Sequence, residues 1–165
     1  MPEKKWVFDT VALSNFFLSE AIFILEKRYC KCGFVTGQVY DEISSGISEY
    51  PQLKLIDKLI EDETFKLVTL PISQRKDFRK LIGHLGKGEA SCIAFAKEQK
   101  AIVVTDDRAA RKQCSLMKIS FTGTVGILKA SLLDGHLPLD RIDAILHKMI
   151  EAGFYSPIRS LADIA

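Results

Sequence analysis

Short runs of apolar, strand-forming residues alternate with amphipathic helical stretches along almost the whole of this chain. That alternation constrains the fold more than any other feature. Strands that recur after helices pair in parallel and carry helices on both faces of the sheet. Strands are expected over 6–8, 33–35, 65–70, 101–105 and, at an edge, 118–121. Helices are expected over 14–29, after Thr36 as N-cap, from Pro51 to about Asp62, from Ser73 as N-cap to about Ile82, and over 89–97, 107–113, 122–133 and 140–152. No repeat, linker or low-complexity run interrupts the 165 residues, so one domain over 1–165 with its own core is expected.

Composition narrows the function classes. A net charge of +2 gives no whole-molecule field for nucleic acid, so an anion-binding surface has to be local. The longest apolar stretch, 11–25, is broken by Asn15 and Glu20 and is too short and polar to span a bilayer. The first residues lack the long apolar core of a signal peptide. A cytoplasmic protein with no membrane partner is the expectation. Cys30, Cys32, Cys92 and Cys114 have no second ligand pair at zinc spacing and are expected to be small, reduced, buried side chains. His84, His136 and His147 have no partners at catalytic spacing.

The stretch Ala-Ile-Val-Val-Thr-Asp-Asp-Arg-Ala-Ala-Arg, 101–111, places two adjacent acids at the tip of an apolar strand. They repel each other, and a helix N-terminus or a cation has to offset the repulsion. Asp9 also ends a strand, and ligand sites in open parallel sheets form outside the carboxyl ends of strands. Glu42 lies on the helix after Thr36, and Glu89 begins a helix after the run Gly83-His84-Leu85-Gly86-Lys87-Gly88. Singly, each acid reads as a cap or a solvated residue. Together they form a set of hard oxygen donors of the kind that takes Mg²⁺ or Mn²⁺. An ion so held activates water and neutralises a phosphodiester oxygen.

The motifs Val7-Phe8-Asp9-Thr10, Val39-Tyr40-Asp41-Glu42-Ile43, Leu85-Gly86-Lys87-Gly88-Glu89-Ala90, Val104–Arg111 and Thr122-Gly123-Thr124-Val125-Gly126-Ile127-Leu128 occur in this order. In order and spacing the chain resembles the PIN domains, and among them a prokaryotic subgroup close to the VapC-type toxin ribonucleases. The resemblance implies a three-layer α/β/α sandwich around a mainly parallel sheet, one or two Mg²⁺ or Mn²⁺ ions, and endonucleolytic cleavage of RNA. It implies Asp9, Glu89, Asp106 and Asp107 as metal ligands, with Asp107 matching the family's fourth acid and Asp106 serving as ligand or cap. It implies Glu42 acting directly or through water, and Thr105 orienting a water or a ligand. Glu89 stands where many members have aspartate. The large apolar residues of the early helices, including Phe16, Phe17, Phe23 and Tyr29, are expected to be mostly core, and any left exposed would form a dimer face or an antitoxin groove; the resemblance implies a homodimer and a small antitoxin protein as partners.

Arg108 and Arg111 fall on one helical face beside the acids, where they meet phosphate or hold the acids in place. Lys87 between two glycines is a further candidate phosphate contact, although the loop lacks the Gly-Lys-Ser/Thr ending of a P-loop. Thr122-Gly123-Thr124 reads as a tight helix entry. The alternative function is a PIN-fold RNA- or protein-binding module without cleavage. A haloacid-dehalogenase-like phosphatase needs an aspartate two residues after Asp9, where this chain has Val11.

Overall fold

The computed structural model describes residues 3–164; Met1, Pro2 and Ala165, the ends of the expected single domain, lie outside the described residues. Five strands, β1 (Trp6–Phe8), β2 (Gly33–Thr36), β3 (Phe65–Val68), β4 (Ile102–Val104) and β5 (Phe121–Thr122), form one parallel sheet in the order β3-β2-β1-β4-β5. Around it run α1 (Thr10–Leu18), α2 (Ile22–Arg28), α3 (Gly37–Ser45), α4 (Leu55–Glu61, entered through a 3-10 turn at Pro51–Lys54), α5 (Ile72–Leu81), α6 (Lys87–Gln99), α7 (Arg108–Leu116), α8 (Thr124–Leu133) and α9 (Leu139–Glu151). The arrangement is a three-layer α/β/α sandwich. No helix among the described residues is long and apolar enough to cross a membrane.

Helix α6 holds the layers together. Its residues from Ala90 to Ala96 are all buried, and it packs on β1, β2 and β4 as well as on α3, α5 and α7. Alanine, serine and cysteine dominate this stretch, and small side chains let the helix lie close to the sheet. The strand order reverses between β1 and β4, and the chain exits of both open on one edge of the sheet. That is the switch point where α/β folds place their sites.

Several boundaries differ from expectation. The helix expected over 14–29 begins four residues earlier, at Thr10, because Asp9 caps it, and it is two helices, because α1 closes at Ser19 with Glu20 in the left-handed region (φ 60°). The Ala21 amide then donates to the Phe16 carbonyl at 2.9 Å, and the Glu20 amide to Phe17 at 3.4 Å, the bond pattern of a Schellman motif. Lys118 (φ 57°) closes α7 in the same way, which delays β5 to Phe121. Both left-handed positions carry long charged residues where glycine is the usual occupant. Ser73 is not the cap of α5; that helix starts after Pro71, and the Ser73 hydroxyl donates to Glu98 instead. Thr36 caps α3 as expected, its hydroxyl oxygen accepting from the Val39 amide at 3.2 Å.

Candidate active site

Three helix N-termini meet at the switch-point edge, and each holds an aspartate. Asp9 follows β1 and accepts the Ala12 amide of α1 at 2.8 Å. Asp107 follows β4 and accepts the Ala110 amide of α7 at 2.8 Å. Asp106 reaches across to accept the Thr124 amide, the first of α8, at 2.9 Å. Each N-terminus carries roughly half a positive charge, so carboxylates that would repel one another are individually compensated. This resolves the doubled aspartate: adjacent residues serve two different helices.

Asp106 is satisfied on both oxygens. Its Oδ2 accepts the Thr124 hydroxyl at 2.5 Å and faces the Asn15 amide nitrogen at 3.5 Å, while Asn15 also donates to Thr124 Oγ1 at 3.1 Å. The Arg111 guanidinium lies 3.7 Å from Asp106 Oδ1, donates through Nε to the Thr105 carbonyl at 2.9 Å, and stacks over Phe121 at 5.2 Å. A Cβ at residue 123 would collide with both Arg111 and Asp106, which accounts for glycine at that position. The tight turn expected at Thr122-Gly123-Thr124 is thus a capped helix entry, and its anion is Asp106.

The other acids have no side-chain cation beside them among the described residues. Asp9 is only 2% exposed, and its carboxyl is pushed up to about 7. Burial is the main cause, and the nearby charges of Asp106 and Glu89 add to it, against the Thr105 side chain and the Ala12 amide, which stabilise the charged form. Burial also pushes the Glu89 carboxyl up, and Asp107 and Glu42 push it further. Glu42 is exposed and fixed at one oxygen by the Thr10 hydroxyl, which donates to Oε2 at 2.8 Å. Its other oxygen lies over Gly88, where a Cβ would come within 2.6 Å. Among the described residues, no lysine or arginine forms an ion pair with Asp9, Glu42, Glu89 or Asp107.

Glu89 in electrostatic contact with Asp9, Asp107 and Glu42, with none of the four ion-paired to a lysine or arginine among the described residues, makes a donor set that fits Mg²⁺ or Mn²⁺ by its chemistry. Among the described residues, no three acidic, histidine or cysteine side chains are already drawn together as a formed metal site.

The structure therefore brings Asp9, Glu42, Glu89, Asp106, Asp107 and Thr105 to one edge. Thr105 is fully buried and accepts the Asp107 amide at 3.1 Å on its hydroxyl, so it shapes the turn between the two acids. Arg108 is exposed in the first turn of α7, and Lys87 is exposed in the first turn of α6. Arg111 is the residue of this group most tied to the acids' own support. Thr10, Asn15 and Thr124 also belong to the site. Asn15 follows Asp9 at a distance that lets it face the acids, and it is a buried polar residue, 8% exposed, on a largely apolar helix. Of the early-helix aromatics expected to be mostly core, Phe16, Phe17 and Tyr29 are core, and Phe23 is exposed. Cys92 and Cys114 are buried as expected, whereas Cys30 is exposed and Cys32 partly so; all four are free.

Comparisons with known proteins agree with this architecture. No curated protein matches the chain in sequence. Among solved structures, the crystal structure of PAE2754 from Pyrobaculum aerophilum is similar, with a TM-score of 0.53 at 14% identity over 73% of this chain and 91% of that one. That likeness concerns the fold alone. The sequence profile of DUF3368, described as a PIN domain, matches residues 5–165. The chain belongs to the PIN-domain family, whose members are generally nucleases that use divalent metals.

Proposed function

We propose that this chain is a Mg²⁺- or Mn²⁺-dependent endoribonuclease, toxin-like or RNA-processing, that hydrolyses phosphodiester bonds at the switch-point edge. The observation that carries this reading is the set of Asp9, Glu42, Glu89 and Asp107 at one edge with no ion pair to a lysine or arginine among the described residues, and with the Asp9 carboxyl pushed up to about 7 by burial and by the charges of Asp106 and Glu89. A bound divalent ion would supply activation of water and neutralisation of charge on the phosphate. Asp9, Glu89 and Asp107 would hold it, with Glu42 acting directly or through water from the far side. Asp106, already spent on α8, fixes the position of β4's exit relative to α8. Thr105 sets the turn that separates Asp106 from Asp107. Arg108 and Lys87, exposed at two helix starts, would meet backbone phosphates of RNA. A homodimer and a small antitoxin-like protein belong to the same proposal, as does a cytoplasmic location; Val11 and Phe23, 55% and 38% exposed on α1 and α2, offer apolar surface for such a contact.

The test is cleavage of an end-labelled single-stranded RNA with Mn²⁺, compared between the natural chain and Asp9→Asn. Asparagine keeps the α1 cap and removes the charge. Cleavage should fall at least about a hundredfold, the scale of losing one preorganised charge-stabilising group, with the circular dichroism spectrum unchanged. Undiminished cleavage by Asp9→Asn would sink the assignment. A natural chain that binds RNA and never cuts it would support the binding-module alternative.

A further inference from the structure

Beside the acidic edge, on the β5 side, lies an open cleft of about 610 Å³, bounded by α7, the start of α8 and the segment after α9. Its lining includes Asp106 and Arg108, the neighbours of Asp107 in the chain, so it borders the acidic edge, and it also takes in Phe154, Tyr155 and Pro157. Tyr155 is 97% exposed, an unusual place for a large aromatic residue. It is not on a loose tail. Phe154 beside it is 8% exposed, and its amide donates to the Met149 carbonyl at 2.9 Å. On the other side, the Ser156 hydroxyl donates to the Ile158 carbonyl at 2.6 Å and accepts the Ile158 amide at 3.2 Å. Further on, Asp143 of α9 accepts the Ser160 hydroxyl at 2.6 Å and the Leu161 amide at 2.8 Å, and Leu161 is fully buried. The chain is pinned before and after Tyr155, and the ring is presented to solvent at the mouth of the cleft.

On the opposite wall, Arg108 is exposed and forms no ion pair among the described residues. Phe121, 37% exposed, has one face covered by Arg111. An aromatic lip, an apolar floor and an unpaired arginine within one cleft suit an unstacked nucleobase with its phosphate. The cleft is a pocket of ligand size rather than a broad flat face. It has room for one splayed nucleotide and not for a helix.

We infer that this cleft is a subsite for one unpaired nucleotide of single-stranded RNA flanking the bond to be cut, with the base stacked on Tyr155 and its phosphate met by Arg108. The inference deepens the nuclease reading and rests on it for the identity of the strand that enters. It makes the protein selective for single strands through shape and stacking, because every base offers a π-face.

The test is fluorescence anisotropy of a labelled mixed-sequence 12-nucleotide RNA with the full chain in EDTA at low salt, where cleavage does not interfere. Tyr155→Ala should weaken binding about tenfold or more, the scale of one lost base–aromatic stack. Tyr155→Trp should keep it, and the same RNA annealed to its complement should bind more weakly and ignore the substitution. Equal binding by Tyr155→Ala, or no binding by the natural chain, overturns the inference. So does a change in sedimentation of Tyr155→Ala without RNA, which would give the lip to a second copy of the chain. The two readings fail separately. If Mn²⁺ supports no cleavage but Tyr155→Ala still loses RNA, the subsite stands and the nuclease reading falls. If the chain cuts RNA and Tyr155→Ala leaves KM unchanged, the nuclease reading stands and the subsite falls.

Discussion

Two sides of one sheet edge use the same residue type to opposite ends. On the β5 side, Asp106 is held by a helix amide, a threonine hydroxyl, an asparagine amide and an arginine. On the β1 side, Asp9 is more deeply buried, carries one helix-cap bond and the help of the Thr105 side chain, and feels two other carboxylates. The difference teaches what an acid at a strand end is for. An acid whose every oxygen is met contributes to the fold. An acid buried among other acids, with no cation beside it, costs the fold stability when ionised and is poised for something positive that binds.

This contrast can be broken by measurement, and the largest expected effect concerns Asp9. Its carboxyl ionises near 3.8 in the unfolded chain and at about 7 in the folded one. Between those values the folded state binds more protons than the unfolded state, so stability falls as pH rises through the window and levels off above it. At about 1.4 kcal/mol per pKa unit the fall is on the order of 4 kcal/mol. Denaturant titrations in EDTA at pH 4.5 and 8 should show that Asp9→Asn removes most of this fall and is the more stable protein at pH 8. A natural chain whose pH dependence matches that of the variant would show that Asp9 is not strained.

Asp106 should behave in the opposite sense. Asp106→Ala uncaps α8 and leaves Arg111 and Thr124 without their partner, for a loss of roughly 2–3 kcal/mol at neutral pH. A variant as stable as the natural chain would remove the distinction between the two acids. A smaller effect sharpens the contrast on the Glu42 side. Gly88→Ala adds a good helix former to α6, worth up to about 1 kcal/mol, yet its Cβ would push the Glu42 carboxylate away from a contact of 2.6 Å. Thermal stability should hold or rise slightly while Mn²⁺-dependent cleavage falls several-fold. Unchanged cleavage would place Glu42 outside the reaction.

Much of this was legible in the sequence, for reasons that particular residues make plain. Thr36 and Asp107 announce helix starts through side chains that accept backbone amides, whereas the helix that Asp9 caps was expected only from residue 14 and begins at Thr10. Helix ends were harder. Glu20 and Lys118 adopt left-handed backbone that nothing in their side chains advertises, and the tertiary fold imposes it. The α8 clamp was illegible for a different reason. Asn15, Asp106, Arg111 and Thr124 are spread over more than a hundred residues and meet only once the parallel sheet is closed. Sequence could place two aspartates at a strand tip, but only the packed structure assigns one to α7 and the other to α8.

The most direct measurement is calorimetric titration of Mn²⁺ into the natural chain, Asp9→Asn and Asp106→Asn at near-neutral pH, each checked for an intact fold. The account predicts binding by the natural chain, abolition in Asp9→Asn, and retention in Asp106→Asn after allowance for its lower stability. Mn²⁺ binding that survives Asp9→Asn at full strength would contradict it, because the unmet charge at the end of β1 would then not be what holds the ion.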